Sequence, residues 1–247
     1  MAKQKKSLPK KIKISACYIV KNNAEDLKIS LNSLKKFVDE TVVVDTGSTD
    51  DTVKVAKKFG AKIFYHDWND DFSAPRNLAL QKCSGDWIIF LDADEFFSAE
   101  TAKNIPFVVE RAEEFKQNAV QIFLINIDKD NGNKIQDTDY VVRIMKNRKD
   151  LHYVGKIHEE IRLGENILSE VVTCPQNVLS LYHTGYSTSL NRSKAERNLK
   201  MLWLNLQKLQ SRREFITISH SVTMDLVTFQ MQKNLLSLTL NQTQAKN

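Results

Sequence analysis

Residues 86–95 read DWIIFLDADE. Positions 87–91 are apolar without interruption, which is typical of a strand buried on both faces of a parallel sheet. Asp92 and Asp94 follow at once, so their carboxylates are expected to converge on the rim of that sheet. Carboxylates packed together cost stability unless a cation compensates them, and Mg²⁺ commonly bridges one or two carboxylates to substrate phosphates. The stretch therefore predicts a site for a metal and a diphosphate, with a solvated turn as the alternative.

The residues before this stretch alternate between two periods of hydrophobicity. Short apolar runs rich in β-branched residues are found at 12–20, 41–45 and 62–66. Apolar residues recur at helical spacing over 24–37, 49–59 and 73–82. We expect Ser48 and Ser73 to cap the second and third helices. This alternation predicts an α/β fold with a mostly parallel central sheet and helices on both faces.

The second half of the chain changes character. A helix interrupted near Pro106 is predicted over 98–116, and Asp130-Asn131-Gly132-Asn133 indicates a turn between two strands. The predicted strands are 119–127, 140–146, 156–163 and short segments within 170–183. A helix is predicted over 191–213. We therefore expect three parts: a basic flexible arm over 1–11, the α/β domain over 12–190, and a C-terminal helical segment with an unassigned tail over 191–247.

Composition excludes several classes of protein. The net charge of +6 equals the six lysines of residues 1–14, so the rest of the chain is balanced and a nucleic-acid partner is disfavoured. The seven glycines lie too far apart to form a Rossmann fingerprint or a P-loop. The three cysteines are widely spaced, which favours a reduced, cytoplasmic compartment. The sequence contains no apolar run that could span a membrane and no signal segment.

Several motifs occur in one order along residues 14–210. They are Val20-Lys21-Asn22, Val43-Val44-Asp45-Thr46-Gly47-Ser48-Thr49-Asp50, Ala74-Pro75-Arg76-Asn77, DWIIFLDADE, Gly155-Lys156-Ile157-His158-Glu159, His183-Thr184-Gly185-Tyr186, Lys194 and Arg197-Asn198. In these motifs the chain resembles family 2 glycosyltransferases with the GT-A fold. Within that family it is similar to lipopolysaccharide-core glucosyltransferases and bacterial peptide S-glycosyltransferases. It departs from the subgroup at Asn23-Ala24, where an acidic pair is usual.

The resemblance implies a role for each matching position. Nucleotide-sugar contacts fall on Val20, Lys21, Asp45, Ser48, Arg76, Asp92, Ala93, Asp94, Lys194 and Arg197, with Asp45 and Arg76 near the base. The implied ligands of Mg²⁺ or Mn²⁺ are Asp94, Asp92 and His183. The alternative for His183 is a structural role. Glu159 takes the place of the catalytic carboxylate, with Glu160 as the competitor. The implied activity is inverting, metal-assisted transfer of a sugar from a nucleotide-diphospho-sugar, most simply a UDP-sugar.

Other readings stay open at this point. A catalytically degenerate GT-A protein that binds or scaffolds is one, and a sugar-phosphate nucleotidyltransferase is another. The acceptor is a glycan, a lipid-linked molecule or a peptide, in cell-envelope glycan biosynthesis. The basic segments 1–14 and 191–214 suggest peripheral contact with an anionic membrane at its inner face, and the last helix suggests a homodimer.

Overall fold

A computed structural model of the chain describes residues 11–156 and 159–185. The α-helices are α1 (Ala24–Leu34), α2 (Thr52–Lys58), α3 (Ser73–Lys82) and α4 (Ile105–Glu114). The strands are β1 (Ile14–Val20), β2 (Glu40–Asp45), β3 (Lys62–Tyr65), β4 (Trp87–Asp92), β5 (Glu95–Phe97), β6 (Ala119–Asp128), β7 (Lys134–Lys146), β8 (Leu151–Val154), β9 (Glu160–Leu163), β10 (Asn166–Ile167), β11 (Val171–Thr173) and β12 (Ser180–His183). The predicted helix 191–213, with Lys194, Arg197 and the dimer surface, lies outside the described residues, as do residues 1–10 of the basic arm.

One large sheet organises these elements. Its strand order is β3-β2-β1-β4-β7-β6-β12-β5, and β11 pairs with β6 beyond this path. The first four strands are parallel, β7 runs antiparallel to β4 and β6, and β12 is parallel to β6. Strands β8, β9 and β10 form a small antiparallel sheet of their own. The fold is therefore the mixed, mainly parallel α/β architecture that the alternating pattern predicts.

The hydrophobic core lies on both faces of the large sheet. Helices α1, α2 and α4 cover one face, where Leu27 and Ile105 pack with Trp87. Helix α3 and strand β8 cover the other, where Leu80 packs with Phe90 and Tyr153. The side chain of Asn77 ties α3 to β8, because it donates to the Tyr153 carbonyl at 2.9 Å and accepts from the Tyr153 amide at 2.7 Å. Burial on both faces explains the uninterrupted apolar strands.

Most predicted elements are confirmed, with three differences. Ser48 and Ser73 cap no helix. α2 begins only at Thr52, whose amide and hydroxyl donate to Asp50. Ser73 is itself the first residue of α3, and its amide and hydroxyl donate to Asp71. Pro106 lies in the first turn of α4 and interrupts nothing, since a proline there lacks only an N–H that would have no helical partner. Strands β5, β8 and β10, of three, four and two residues, were absent from the sequence prediction.

A polar cluster joins the amino ends of β1, β2 and β4. Glu40 is 11% exposed, and its carboxylate accepts from Lys62 at 2.7 Å, from the Ser15 hydroxyl and from both the amide and the hydroxyl of Ser84. The Gly85 amide donates to the Ser15 hydroxyl at 2.8 Å. A Cβ on Gly85 would lie 2.8 Å from the Ser15 amide nitrogen and 2.9 Å from a carbonyl oxygen. Only glycine allows this close approach.

None of the helices within 11–156 and 159–185 combines the length and the apolar character that a bilayer crossing needs.

Candidate active site

The carboxyl ends of β2, β1 and β4 form one edge of the large sheet. Val20 lies opposite Asp45 in the β1–β2 pairing, and Ile19 lies opposite Asp92 in the β1–β4 pairing. Adjacent strands lie about 4.8 Å apart, so Asp45 and Asp92 are separated by roughly two strand spacings. In open α/β sheets ligands bind beyond this edge. The structure thus places two of the predicted acidic motifs beside each other.

Asp45 is buried, with 3% of its surface exposed. Its Oδ2 accepts from the backbone amides of Gly47 at 3.1 Å and Ser48 at 3.0 Å, which closes the turn after β2. Gly47 has a φ of 100°, a conformation that favours glycine. The other oxygen, Oδ1, is buried with no hydrogen-bond partner in the described part of the chain. A buried acceptor of this kind costs free energy until a donor reaches it, so it suits an N–H group of a ligand.

The loops after β1 and β2 are joined to each other. The Asn22 amide donates to the Ser48 hydroxyl at 3.0 Å, and the Asn22 side chain accepts from the Thr49 amide at 2.7 Å. Asn22 has a φ of 52°, which asparagine tolerates better than most residues. The Val20 carbonyl accepts from the Thr46 amide at 2.9 Å, while Lys21 is exposed. Ser48 therefore links the loop after β1 to the turn that Asp45 closes.

Asp92 lies between two arginines. Arg76 donates to its Oδ1 at 2.9 Å, and Arg143 lies 3.5 Å from its Oδ2. Burial alone would raise the pKa of Asp92, but the two guanidinium groups outweigh burial and hold that pKa below its usual range. Arg143 also donates two hydrogen bonds, of 2.8 and 2.7 Å, to the carboxylate of Glu95, which is 1% exposed. Asp92 is therefore a fixed anion.

Arg76 connects Asp92 to the predicted catalytic carboxylate. Its Nε lies 3.4 Å from Oε1 of Glu159, and both side chains are largely buried. The guanidinium also lies over the rings of Phe90, at 4.9 Å, and Tyr153, at 5.4 Å. Cation–π contacts and ion pairs hold the group in one place. The resemblance assigns Arg76 to the nucleotide base, whereas the structure places it between Asp92 and Glu159.

The two carboxylates that compete for the role of base differ in their surroundings. Glu159 is 14% exposed and faces Arg76 at the sheet edge. Glu160 begins β9 and accepts hydrogen bonds of 2.8 and 2.7 Å from Arg162, with 40% of its side chain exposed. Both glutamates pair with an arginine and they differ in position, since Glu159 is largely buried beside Arg76 whereas Glu160 is exposed; the choice between them stays a prediction. His158, the residue before them, lies outside the described residues.

Asp94 and His183 meet although 89 positions separate them in the sequence. Nε2 of His183 lies 3.5 Å from Oδ1 of Asp94, and Nδ1 of the same ring lies 2.8 Å from the Asn126 side chain. The Thr184 amide donates to the Asp94 carbonyl at 3.0 Å. Burial lowers the pKa of His183, but Asp94 outweighs it and the pKa lies above its ordinary value. The buried Ala93 separates this pair from Asp92.

The predicted metal ligands can be tested against this geometry. Within the described residues no three His, Cys, Asp or Glu side chains lie together as a ready set of ligands. Asp94 and His183 fit two coordination positions, and diphosphate oxygens and water are what Mg²⁺ ordinarily accepts in the others. Both oxygens of Asp92 already face arginines. The fit is therefore good for Asp94 and His183, and ligation by Asp92 stays a prediction.

Sequence reasoning missed the residues that support this site. Glu95 was part of a quoted motif without a role, and its position three residues after Asp92 was an available signal. Arg143 and Asn126 gave no signal, because no motif surrounds them and their partners are 48 or more positions away.

Comparison with known proteins gives consistent results. The family model described as Glycosyl transferase family 2 matches residues 15–169. A TPR repeat-containing protein of Synechococcus elongatus is 32% identical over 201 residues, which are 77% of this chain and 48% of that protein. The SPbeta prophage-derived glycosyltransferase SunS of Bacillus subtilis is 34% identical over 195 residues, 76% of this chain and 44% of that protein.

A solved structure has the same architecture. The crystal structure of S. aureus TarS matches with a TM-score of 0.54 at 18% identity, over 76% of this chain and 39% of that one. This likeness shows the fold, which is of the GT-A type. The chain spans less than half the length of the two curated relatives that it matches.

Proposed function

Since the chain belongs to glycosyl transferase family 2, we propose that it moves a sugar from a nucleotide-diphospho-sugar to a hydroxyl or thiol of an acceptor. One observation carries the proposal. Asp94 from the end of β4, His183 from β12 and Glu159 before β9 are brought to the same edge of the sheet as the buried, unsatisfied acceptor of Asp45. A binding site for a nucleotide base, a site for a diphosphate and a carboxylate that can accept a proton are the three parts that the reaction needs.

The nucleotide is proposed to bind with its base at Asp45. Oδ1 of this carboxylate can accept from a ring N–H such as the N3–H of uracil, which makes a UDP-sugar the simplest donor. Val20, Lys21 and Ser48 form the loops around it. Arg76 contacts Asp92 and Glu159 and is proposed to hold both in place and to border the nucleotide.

The charge of the site favours a divalent cation. Asp92, Asp94, Glu95 and Glu159 carry four negative charges, and Arg76 and Arg143 supply two positive ones. A Mg²⁺ or Mn²⁺ ion held by Asp94 and His183 would balance the remainder and, when bound, would stabilise charge on the departing diphosphate. Asp92 keeps its negative charge beside that position because its arginine partners hold its pKa low.

Glu159 is proposed as the general base. It accepts the proton of the acceptor hydroxyl or thiol while the acceptor atom bonds to the anomeric carbon and the bond from that carbon to the diphosphate breaks. One base opposite one leaving group gives inversion of the anomeric centre. Arg76 orients Glu159 through the contact at 3.4 Å, and buried aromatic rings limit where that guanidinium can move.

The remaining expectations are part of the same proposal. The acceptor is a cell-envelope glycan, a lipid-linked molecule or a peptide, and the enzyme works in the cytoplasm or at the inner face of the membrane. The reading as a degenerate binding protein is disfavoured by the intact arrangement of Asp94, His183 and Glu159. A nucleotidyltransferase is disfavoured because the loop after β1 lacks the usual glycines.

Calorimetry with UDP, with and without Mn²⁺, tests donor binding. We expect binding that Mn²⁺ strengthens, and no binding under either condition would refute the proposal. Glu159→Gln should keep the affinity for UDP and lose transfer and donor hydrolysis, measured as release of UDP from UDP-sugars. Glu160→Gln is the matched control and should keep turnover. Full turnover in Glu159→Gln would refute the assignment of the base, and retained anomeric configuration in proton NMR of the product would refute inversion.

A further inference from the structure

We infer that Arg143 and Glu95 form a positioning pair that fixes the Asp92-Ala93-Asp94 turn for binding of a metal-bound diphosphate. The inference rests on the proposed function and extends it to two residues that no family motif assigns. The pair contacts the turn, so we expect its effect on the ligand to pass through Asp92 and Asp94.

The first observation is the position of Arg143 in its strand. In the pairing of β6 with β7, Val120 lies opposite Ile144 and Gln121 lies opposite Val142, so Arg143 is an extra residue in a bulge. A bulge interrupts the regular alternation of side chains and redirects the side chain that it contains. Here the redirected side chain is an arginine that reaches β5 and the end of β4.

The second observation is the set of hydrogen bonds that the Glu95 carboxylate accepts. Its carboxylate accepts two hydrogen bonds from Arg143, and its Oε2 also accepts from the backbone amide of Asp92 at 3.1 Å. Glu95 therefore closes the turn from the position three residues after Asp92, while Arg143 holds Glu95. A planar guanidinium can bind a carboxylate through two parallel bonds, which a lysine cannot do.

The third observation is that both Asp92 and Asp94 are held by contacts from outside the turn. The same Arg143 nitrogen that binds Glu95 lies 3.5 Å from Asp92. The backbone carbonyl of Asp94 accepts from the Thr184 amide, beside His183. The direction of the Asp94 carboxylate is thus set by a turn whose entry is held by Arg143 and Glu95. Residues that orient metal ligands in this way typically change metal affinity by about ten- to one hundred-fold when they are replaced.

The test separates positioning from general stability. Calorimetry measures the dissociation constant of UDP with and without Mn²⁺, and the ratio of the two constants is the readout. In Arg143→Met we expect the gain that Mn²⁺ gives to UDP affinity to fall by about ten-fold, whereas binding without metal changes little. Arg143→Lys should recover part of the loss. Arg148→Met is the matched control, because Arg148 pairs with Asp150 at the surface and should leave the ratio unchanged.

A second variant covers a failure to fold. Removing one partner leaves a buried charge, so Arg143→Met is paired with the double variant Arg143→Met/Glu95→Gln, which removes the charge of both. Circular dichroism and thermal unfolding report the fold. A folded single or double variant with an unchanged ratio overturns the inference, and if neither folds, an unchanged ratio in Arg143→Lys overturns it. Absence of UDP binding in the unaltered chain would instead refute the proposed function.

Discussion

Replacing Glu40 by glutamine should destabilise the fold in a way that depends on pH. Burial would raise the pKa of Glu40, but hydrogen bonds from Lys62, Ser15 and Ser84 outweigh it and lower the pKa from 4.5 to about 2. A carboxylate whose pKa is lower in the folded state stabilises that state above the unfolded pKa. This contribution is lost as pH falls from 4.5 towards 2.

The size of the effect follows from the shift. A pKa lowered from 4.5 to about 2 corresponds to about 3 kcal/mol at pH 7, and the same linkage leaves about 1 kcal/mol at pH 3. Glu40→Gln should therefore lower the free energy of unfolding by about 3 kcal/mol at neutral pH and by less than half as much at pH 3. The side chain is largely buried, so screening by solvent reduces this little.

Urea unfolding followed by circular dichroism at pH 7, 5 and 3 measures the difference. Glu114→Gln is the matched control, because Glu114 pairs with Arg111 while 61% of its side chain is exposed, and it should change stability by less than about 0.5 kcal/mol. A difference between the Glu40 variant and the unaltered chain that stays constant from pH 7 to pH 3 would contradict this reasoning. So would a loss below about 0.5 kcal/mol at pH 7.

Two more substitutions test other parts of the structure. Gly85→Ala should lower the free energy of unfolding by about 1–3 kcal/mol, because the added Cβ meets the backbone of Ser15; an unchanged melting temperature would contradict the close approach. Asp45→Asn should weaken UDP binding roughly ten-fold. Oδ2 of Asp45 accepts in the turn and Oδ1 is proposed to accept from the ligand, whereas the asparagine side chain has only one oxygen for these two positions. Calorimetry with and without Mn²⁺ measures this, and an equal loss is expected in both; an unchanged affinity would remove Asp45 from the base site.

The sequence was most informative for strands that are buried on both faces of the sheet. Strands β1, β2 and β4 are covered on both faces, so their apolar runs could be recognised without any tertiary knowledge. The carboxyl ends of parallel strands meet at one edge of a sheet, and the structure has Asp45 and Asp92 at that edge. Helix α3 was predicted with its observed bounds because Ser73 and Pro75 mark its first turn.

The partners of these acids could not be predicted. Asp92 is paired with Arg76 and Arg143, and the second of these depends on a bulge that shifts the alternation of β7 by one residue. A bulge depends on the pairing of two strands and leaves no periodic signal in one of them. Asn126, which contacts His183, lies inside the predicted strand 119–127, where no feature of the sequence distinguishes it.

The place of β12 has a consequence for how the site is made. β12 lies between β6 and β5, and it is the strand with which β5 pairs. During synthesis from the amino terminus, β4 and Asp94 leave the ribosome about ninety residues before His183. Pairing between strands far apart in the sequence forms late, because closing the chain between them costs conformational entropy before the new contacts stabilise it. The parallel part of the sheet, β3-β2-β1-β4, can therefore form early in translation, and the site proposed to hold a metal becomes complete only when β12 inserts.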